Sequence, residues 1–228
     1  WPNYEDATKT TRGSGDYKYS VGDGGILDNT GLCSVLSRKV KKAIVFVNTN
    51  SPIEKDGDTY KCDNYIPNLF GFQGDGAMKG MMKLIYDGND KRCHVLKDDD
   101  KHTKFNELME GLLKSSETSN GAQIYEGEYE VVKNDFYNTS PYTIKILWVY
   151  LNNNPQFKDD RYKDDEDVKE AITDMEKKEN FPYLATFAEN IKRFIFVGYT
   201  QRQINLLGDI CYYNIMSNAS KFEKFVKT

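Results

Sequence analysis

Apolar and polar positions along this chain repeat with two different periods, and the changes of period mark its elements. Tyr17 to Val21 alternates aromatic and small residues, as a short strand does. Gly22-Asp23-Gly24-Gly25 interrupts it, and Asp28, Asn29 and Thr30 each suit a helix N-cap. Leu32, Val35 and Leu36 then share one helical face. Val40 to Val47 follows, with Ala43-Ile44-Val45-Phe46-Val47 unbroken. A short apolar run rich in β-branched residues predicts a strand buried on both faces. Strand, turn, helix, strand is a βαβ unit, so a parallel sheet is expected.

Beyond Val47 the pattern loosens. Asn48 to Phe72, with Pro52, Pro67 and several Gly and Asp, reads as a long loop. Gly76 to Tyr86 carries Met78, Met81, Met82 and Ile85 at helical spacing, and Lys97 to Lys104 reads as a charged linker. Phe105, Leu108, Met109, Leu112 and Leu113 form one stripe, which predicts a helix over Thr103 to Lys114 with Thr103 as cap. Gln123 to Val132 is read as strand or hairpin, Thr143 to Leu151 as a strand, and Asn152 to Asp160 as a loop around Pro155. Asp164 to Lys178 predicts an amphipathic helix with Val168, Ala171, Ile172 and Met175 inward, stopped by Phe181-Pro182. Thr200 and Gln203 have capping-box spacing, and Ile204, Leu207, Ile210, Cys211 and Ile215 are the expected buried side of the last helix. Residues 1–16 are polar and Gly-rich, an entry loop.

Composition narrows the function classes. At 228 residues with 39% hydrophobic and 29% charged residues, the chain is globular in character. A net charge of −4 gives no electrostatic support for nucleic-acid binding. No apolar run approaches the roughly 20 residues that a transmembrane helix needs. The first residue is Trp1, from which a processed chain or a fragment is expected. The spacings of the four cysteines match no zinc pattern, and four in 228 residues make no disulfide scaffold. Cys33 and Cys211 are expected as buried helical thiols. Cys62 and Cys93 lie in polar, loop-like sequence and would pair only in a secreted protein. Two sequons, at Asn138 and Asn218, leave the compartment open between cytoplasmic and secretory or vacuolar.

The candidate chemistry centres on Asp23. It follows a strand and precedes a helix, and ligands of open α/β sheets bind at that edge. Gly24 and Gly25 let the backbone turn sharply and a substrate approach. Spacing alone leaves two readings, an Asx-type turn or a general base. Asn29 is assigned to helix capping and to fixing the Asp loop. The other candidates have plainer readings. Met78, Met81 and Met82 with Phe70 and Phe72 suit core packing before an acyl pocket. Asp56-Gly57-Asp58 and Asp87-Gly88-Asn89-Asp90 suit turns rather than calcium loops. His94 and His102 are expected at the surface, and Lys158 to Glu170 as a solvated loop and helix start rather than a cation site. No metal or cofactor is expected.

The run Gly22-Asp23-Gly24-Gly25, then Asp28-Asn29-Thr30-Gly31-Leu32, then Val40 to Thr49 resembles the patatin and cytosolic phospholipase A2 group of serine lipid hydrolases. "PYTIKILWVYLN", "FPYLATF" and "TQRQINLLGDICYYNI" extend the likeness in order towards the C-terminus. The resemblance implies a single partial α/β domain over 1–228, the C-terminal part of a sheet flanked by helices and completed by another chain or segment. It implies that Asp23 partners a nucleophilic Ser in a two-residue dyad, within an active-site loop of Gly22, Gly24, Gly25 and Asn29. In that group the Ser lies on a GxSxG elbow upstream, with a Gly-rich oxyanion loop. Neither motif occurs here, since Ser14 in Arg12-Gly13-Ser14-Gly15 lacks the first Gly. The implied partners are a lipid or phospholipid substrate, a polypeptide or segment carrying GxSxG, and a membrane surface met peripherally. The alternative is a storage, binding or assembly protein on the same fold.

Overall fold

The computed structural model describes residues 28, 30–63, 65–72, 93–184 and 199–227. The elements in chain order are α1 (Leu32–Leu36), β1 (Lys42–Val47), β2 (Glu54–Asp56), β3 (Thr59–Lys61), α2 (Tyr65–Leu69), α3 (Thr103–Ser115), β4 (Gln123–Val131), β5 (Tyr142–Tyr150), α4 (Phe157–Arg161), α5 (Glu166–Glu179), α6 (Gln201–Met216) and α7 (Ala219–Lys227). The predicted strand at Tyr17 to Val21, the Gly22–Gly25 motif and the Met-rich helix at Gly76 to Tyr86 lie outside the described residues.

β5 is the middle strand of a mixed sheet of order β1-β5-β4. It pairs in parallel with β1, Lys42 opposite Lys145 and Val47 opposite Tyr150, and antiparallel with β4, Gln123 opposite Tyr150 and Val131 opposite Tyr142. The sheet is therefore α/β at the coarse level expected, but it is not wholly parallel. The reason is the connection: β4 and β5 are joined by a loop of about ten residues, too short for a parallel crossover.

Alternation along β5 sorts the core into two layers. Ile144, Ile146, Trp148 and Tyr150 face Phe105, Leu108, Met109 and Leu112 of α3, together with Leu32 and Leu36 of α1. Leu147 and Val149 face the other way, onto Phe225 of α7. A third cluster joins Phe157 of α4, Ile172 and Met175 of α5, and Leu206 and Ile210 of α6. Close approach fixes one glycine here: a Cβ on Gly111 of α3 would meet the Tyr125 ring of β4 at 2.2 Å.

Several expectations need correction. The loop from Asn48 to Phe72 contains a β2–β3 hairpin and α2; Gly57, with φ of 63°, makes the two-residue turn. The same hairpin confirms a turn at Asp56-Gly57-Asp58. The Lys97 to Lys104 linker is a capping device. Asp99 accepts from the Thr103 N–H (2.9 Å) and Asp98 from the N–H groups of Lys104 and Phe105, so these acids, not Thr103, satisfy the start of α3. β1 is not buried on both faces, because Phe46 is 48% exposed and stacks on Phe222. The loop around Pro155 winds into α4.

The C-terminal segment is two helices. The Thr200–Gln203 capping box is present, but α6 buries Leu206, Ile210 and Asn214, and Ile204 is exposed. The shift follows from Asn214 and Asn218, which turn inward to meet carbonyls of the 119–121 turn, directly or through Asn154. α5 keeps Ile172 and Met175 inward as expected; its end is set by Asn180 in the left-handed region, ahead of Phe181-Pro182.

Candidate functional site

Asp23, Gly22, Gly24, Gly25 and Asn29 lie outside the described residues, as does Ser14. What is described begins at Asp28, where the chain enters α1. Asp28 Oδ2 accepts from the Cys33 N–H at 2.7 Å and Oδ1 from the Thr30 hydroxyl at 2.7 Å. The Gly31 N–H donates to the Asp28 carbonyl, and Gly31 takes φ of 69°. These bonds satisfy donors that a five-residue helix leaves open. The N-cap position itself is Gly31, which makes no side-chain cap bond; Asp28 and Thr30 reach the Cys33 and Leu32 N–H groups from before it, so the N-cap expected among Asp28, Asn29 and Thr30 falls one residue later. Leu32, Cys33 and Leu36 pin the helix to the sheet.

From α1 the chain passes into β1, and the parallel pairing sends β1 and β5 to a common carboxyl edge. Polar groups gather there. The Tyr150 hydroxyl donates to the Ser51 carbonyl at 2.6 Å and accepts from the Asp63 N–H at 2.8 Å. Asp63 Oδ1 accepts from the Tyr65 N–H at 2.9 Å, starting α2, and the Thr49 hydroxyl also bonds to its carboxyl. Thr49 Oγ1 accepts from the Ser51 N–H. The Asn153 N–H donates to the Tyr183 hydroxyl beside this edge.

Burial decides the proton chemistry of this cluster. It raises the Asp63 carboxyl above its ordinary value, against the Tyr65 and Thr49 hydrogen bonds that pull the other way. It also pushes the Tyr150 hydroxyl and the Cys62 thiol up, with the Asp63 charge adding to each. The Tyr150 hydroxyl and the Cys62 thiol are thus protonated at neutral pH, and the thiol is no nucleophile.

An open groove of about 670 Å³ runs from Asn153 and Pro155 along α4 and α5, past Lys158, Glu166, Lys169 and Glu176. Lys158 is committed to Glu176 at 2.6 Å and to Thr173. The acidic stretch read from sequence at Lys158 to Glu170 lines part of this groove. Among the described residues no three His, Cys, Asp or Glu side chains come together to hold a metal ion.

Other candidates move. His94 and His102 are half-buried, not surface residues: the His94 ring closes on Gly71, and the His102 ring stacks on Phe72 at 3.8 Å. Phe70 is a core residue, edge-on to Phe105 and Tyr129. Cys62 and Cys93 are buried, and none of the four cysteines is in a disulfide. Asn218 is buried and donates to Ser119 and Asn214 carbonyls, which removes it as a glycan acceptor in the folded chain; Asn138 is exposed.

Sequence reasoning missed Asp63 and Tyr150. Their signal was present only as a polar residue amid a presumed loop and an aromatic at a strand end. Among the described residues no helix is long and apolar enough to cross a membrane. In comparisons with known proteins, no family profile, curated protein or solved structure matches the chain.

Proposed function

We propose that this chain supplies the acidic half of a serine acyl-ester hydrolase acting on lipid or phospholipid esters, with Asp23 as the base and the Ser carried by a GxSxG segment outside these 228 residues. The observation that carries the reading is the capped turn from Asp28 into α1. It lies five residues after Asp23 and feeds a strand paired in parallel with β5. A catalytic acid is best held when the chain next to it is fixed to a rigid element, and the described chain from Asp28 onward is so fixed.

In this mechanism Asp23 takes the proton from the Ser hydroxyl as the oxygen attacks the ester carbonyl. The tetrahedral intermediate collapses to an acyl-Ser, and the alcohol leaves with the proton. Asp23 then takes a proton from water, whose oxygen attacks the acyl-Ser and releases the fatty acid. Backbone donors for the oxyanion come from the same segment as the Ser. The rival, a storage, binding or assembly protein on the same fold, is favoured by one fact: no GxSxG serine occurs in the 228 residues.

Labelling of the native preparation with a fluorophosphonate probe separates the two. Under the hydrolase reading a GxSxG serine is labelled, and Asp23→Asn lowers the labelling rate by about 10²–10⁴-fold. A folded preparation that takes up no probe, or an Asp23→Asn variant labelled at the wild-type rate, removes Asp23 from the chemistry.

A further inference from the structure

Arg38, Lys39, Lys41 and Lys42 crowd the turn from α1 into β1. Arg38, Lys39 and Lys41 are exposed, and none of the four is in an ion pair among the described residues. Lys41 lies 5.5 Å from the centre of the Tyr142 ring. Lys42 donates to the Phe225 carbonyl of α7 at 2.9 Å, and Lys145 stands opposite it on β5, exposed. Lysines elsewhere, such as Lys97, Lys158 and Lys178, hold acids at 2.6 to 2.8 Å. Neighbouring acids do not answer the run: Glu128 of β4 lies opposite Lys145, and Glu223 of α7 is taken by Lys227. In a chain of net charge −4, these cations are a local concentration of the opposite sign.

An apolar strip adjoins them. Lys42, Ile44 and Phe46 share the face of β1 that α7 covers. Phe46 is exposed and stacks on Phe222, and Val226, one turn further along α7, is 66% exposed. Lys42 and Phe46 are four residues apart on one strand, about 13 Å. Cations and apolar side chains therefore form one surface along β1.

We propose that this surface lies on an anionic phospholipid bilayer, with the cations against the headgroups and Phe46, Phe222 and Val226 at the acyl boundary. Charge selects an anionic occupant. Two features select a lipid over an acidic protein. Three of the four cations in the turn are lysines, a residue that protein interfaces are depleted of. An exposed apolar strip also runs beside them, the combination by which proteins lie in a membrane interface. Each Lys or Arg held near an anionic lipid surface strengthens binding about fivefold. The surface rests on the hydrolase reading only for what the contact serves, which is delivery to lipid esters. Neither Asp23 nor a serine takes part in it, so the two proposals fail separately.

The test is co-sedimentation of the native protein with vesicles, at about 0.1 M salt. One set is phosphatidylcholine alone; the other is a two-to-one mixture of phosphatidylcholine and phosphatidylserine. Binding is expected to the mixed vesicles and not to phosphatidylcholine alone. Combining Arg38→Gln, Lys39→Asn and Lys41→Gln should lower the partition coefficient about a hundredfold. Asn suits position 39, where φ is 56°. Val226→Asp, at an exposed position, should lower it about tenfold. All four substitutions are at exposed side chains, and urea midpoints matching the wild type show that both variants are folded. No binding, equal binding to both vesicle sets, or wild-type binding by the triple variant overturns the proposal. Wild-type binding by Val226→Asp means that charge alone makes the contact, as an acidic protein would, and overturns the lipid assignment. A protein that binds mixed vesicles yet takes up no fluorophosphonate keeps this surface and loses the hydrolase reading.

Discussion

Asn154 and Asn214, sixty residues apart in sequence, share an amide–amide hydrogen bond of 2.7 Å inside the protein. The same Asn154 amide donates to the Asn120 carbonyl at 2.8 Å, and its oxygen accepts from the Gln156 N–H. Asn218 and Asn152 extend the network to the Ser119 and Gly121 carbonyls. Gly121 is required there, since a Cβ on it would lie 2.1 Å from Asn154 Oδ1. Amides thus do at this corner what apolar packing does elsewhere: they join the start of β4 to α6.

Asn154→Ala should be among the costly polar substitutions. It leaves a buried acceptor on Asn214 without its donor and frees the Gln156 N–H. About 2–4 kcal/mol of stability should be lost, read by urea unfolding. A loss below about 0.5 kcal/mol would mean that water or a repacked Asn214 replaces the bond.

The thiols should differ sharply in reactivity. Burial pushes Cys33 up, with the Asp28 and Cys93 charges adding, and burial likewise lifts Cys62. Cys211 is raised by burial but remains half-exposed on α6. Iodoacetamide at pH 8 should therefore alkylate Cys211 first, with Cys33 and Cys62 reacting only after denaturant is added. Early alkylation of Cys33, seen by peptide mass mapping, would contradict the packing of α1.

Alkaline pH should destabilise the fold through its phenols. Tyr162 is pushed up to about 12 by burial and by its hydrogen bond to Asp209, and Tyr183 to about 12 by burial. Both values lie above the ordinary 10.0, so the folded state holds these protons more tightly than the unfolded chain. The stability they contribute is present below pH 10 and is lost as pH rises to 12. Urea midpoints at pH 9.5, 10.5 and 11.5 should fall, and Tyr162→Phe should flatten the fall while lowering the starting value. An unchanged slope in that variant would remove Tyr162 from the effect.

The helices α3 and α5 were legible because one stripe ran through each, from Phe105 to Leu113 and from Val168 to Met175, and β5 because Thr143 to Leu151 is rich in Ile, Trp, Val and Tyr. The buried side of α6 was read in part: Ile210 is buried and Leu207 and Cys211 pack against the core, but Ile204 is exposed and Asn214 completes the face, and hydrophobicity carries no signal for a satisfied interior amide. The β2–β3 hairpin was hidden because its strands are three residues long and mostly exposed. Asp98 and Asp99 looked like linker charge because their capping role depends on a chain reversal between them and α3. The Asp23 reading stands on its glycines and its spacing to Asp28 alone, because the motif lies outside the described residues. Asp63 was not legible, because its burial is created by Tyr150 and Ser51, both distant or unremarkable in sequence.

The position of β5 between an antiparallel and a parallel neighbour also sets an order of assembly. The β4–β5 hairpin closes a loop of about ten residues, whereas β1 must find β5 across about a hundred, an entropic difference of roughly 2 kcal/mol. The hairpin with α3 docked on it therefore forms a template whose exposed β5 edge waits for Lys42 to Val47. The β1 strand is captured late in folding and, by the same token, lets go first.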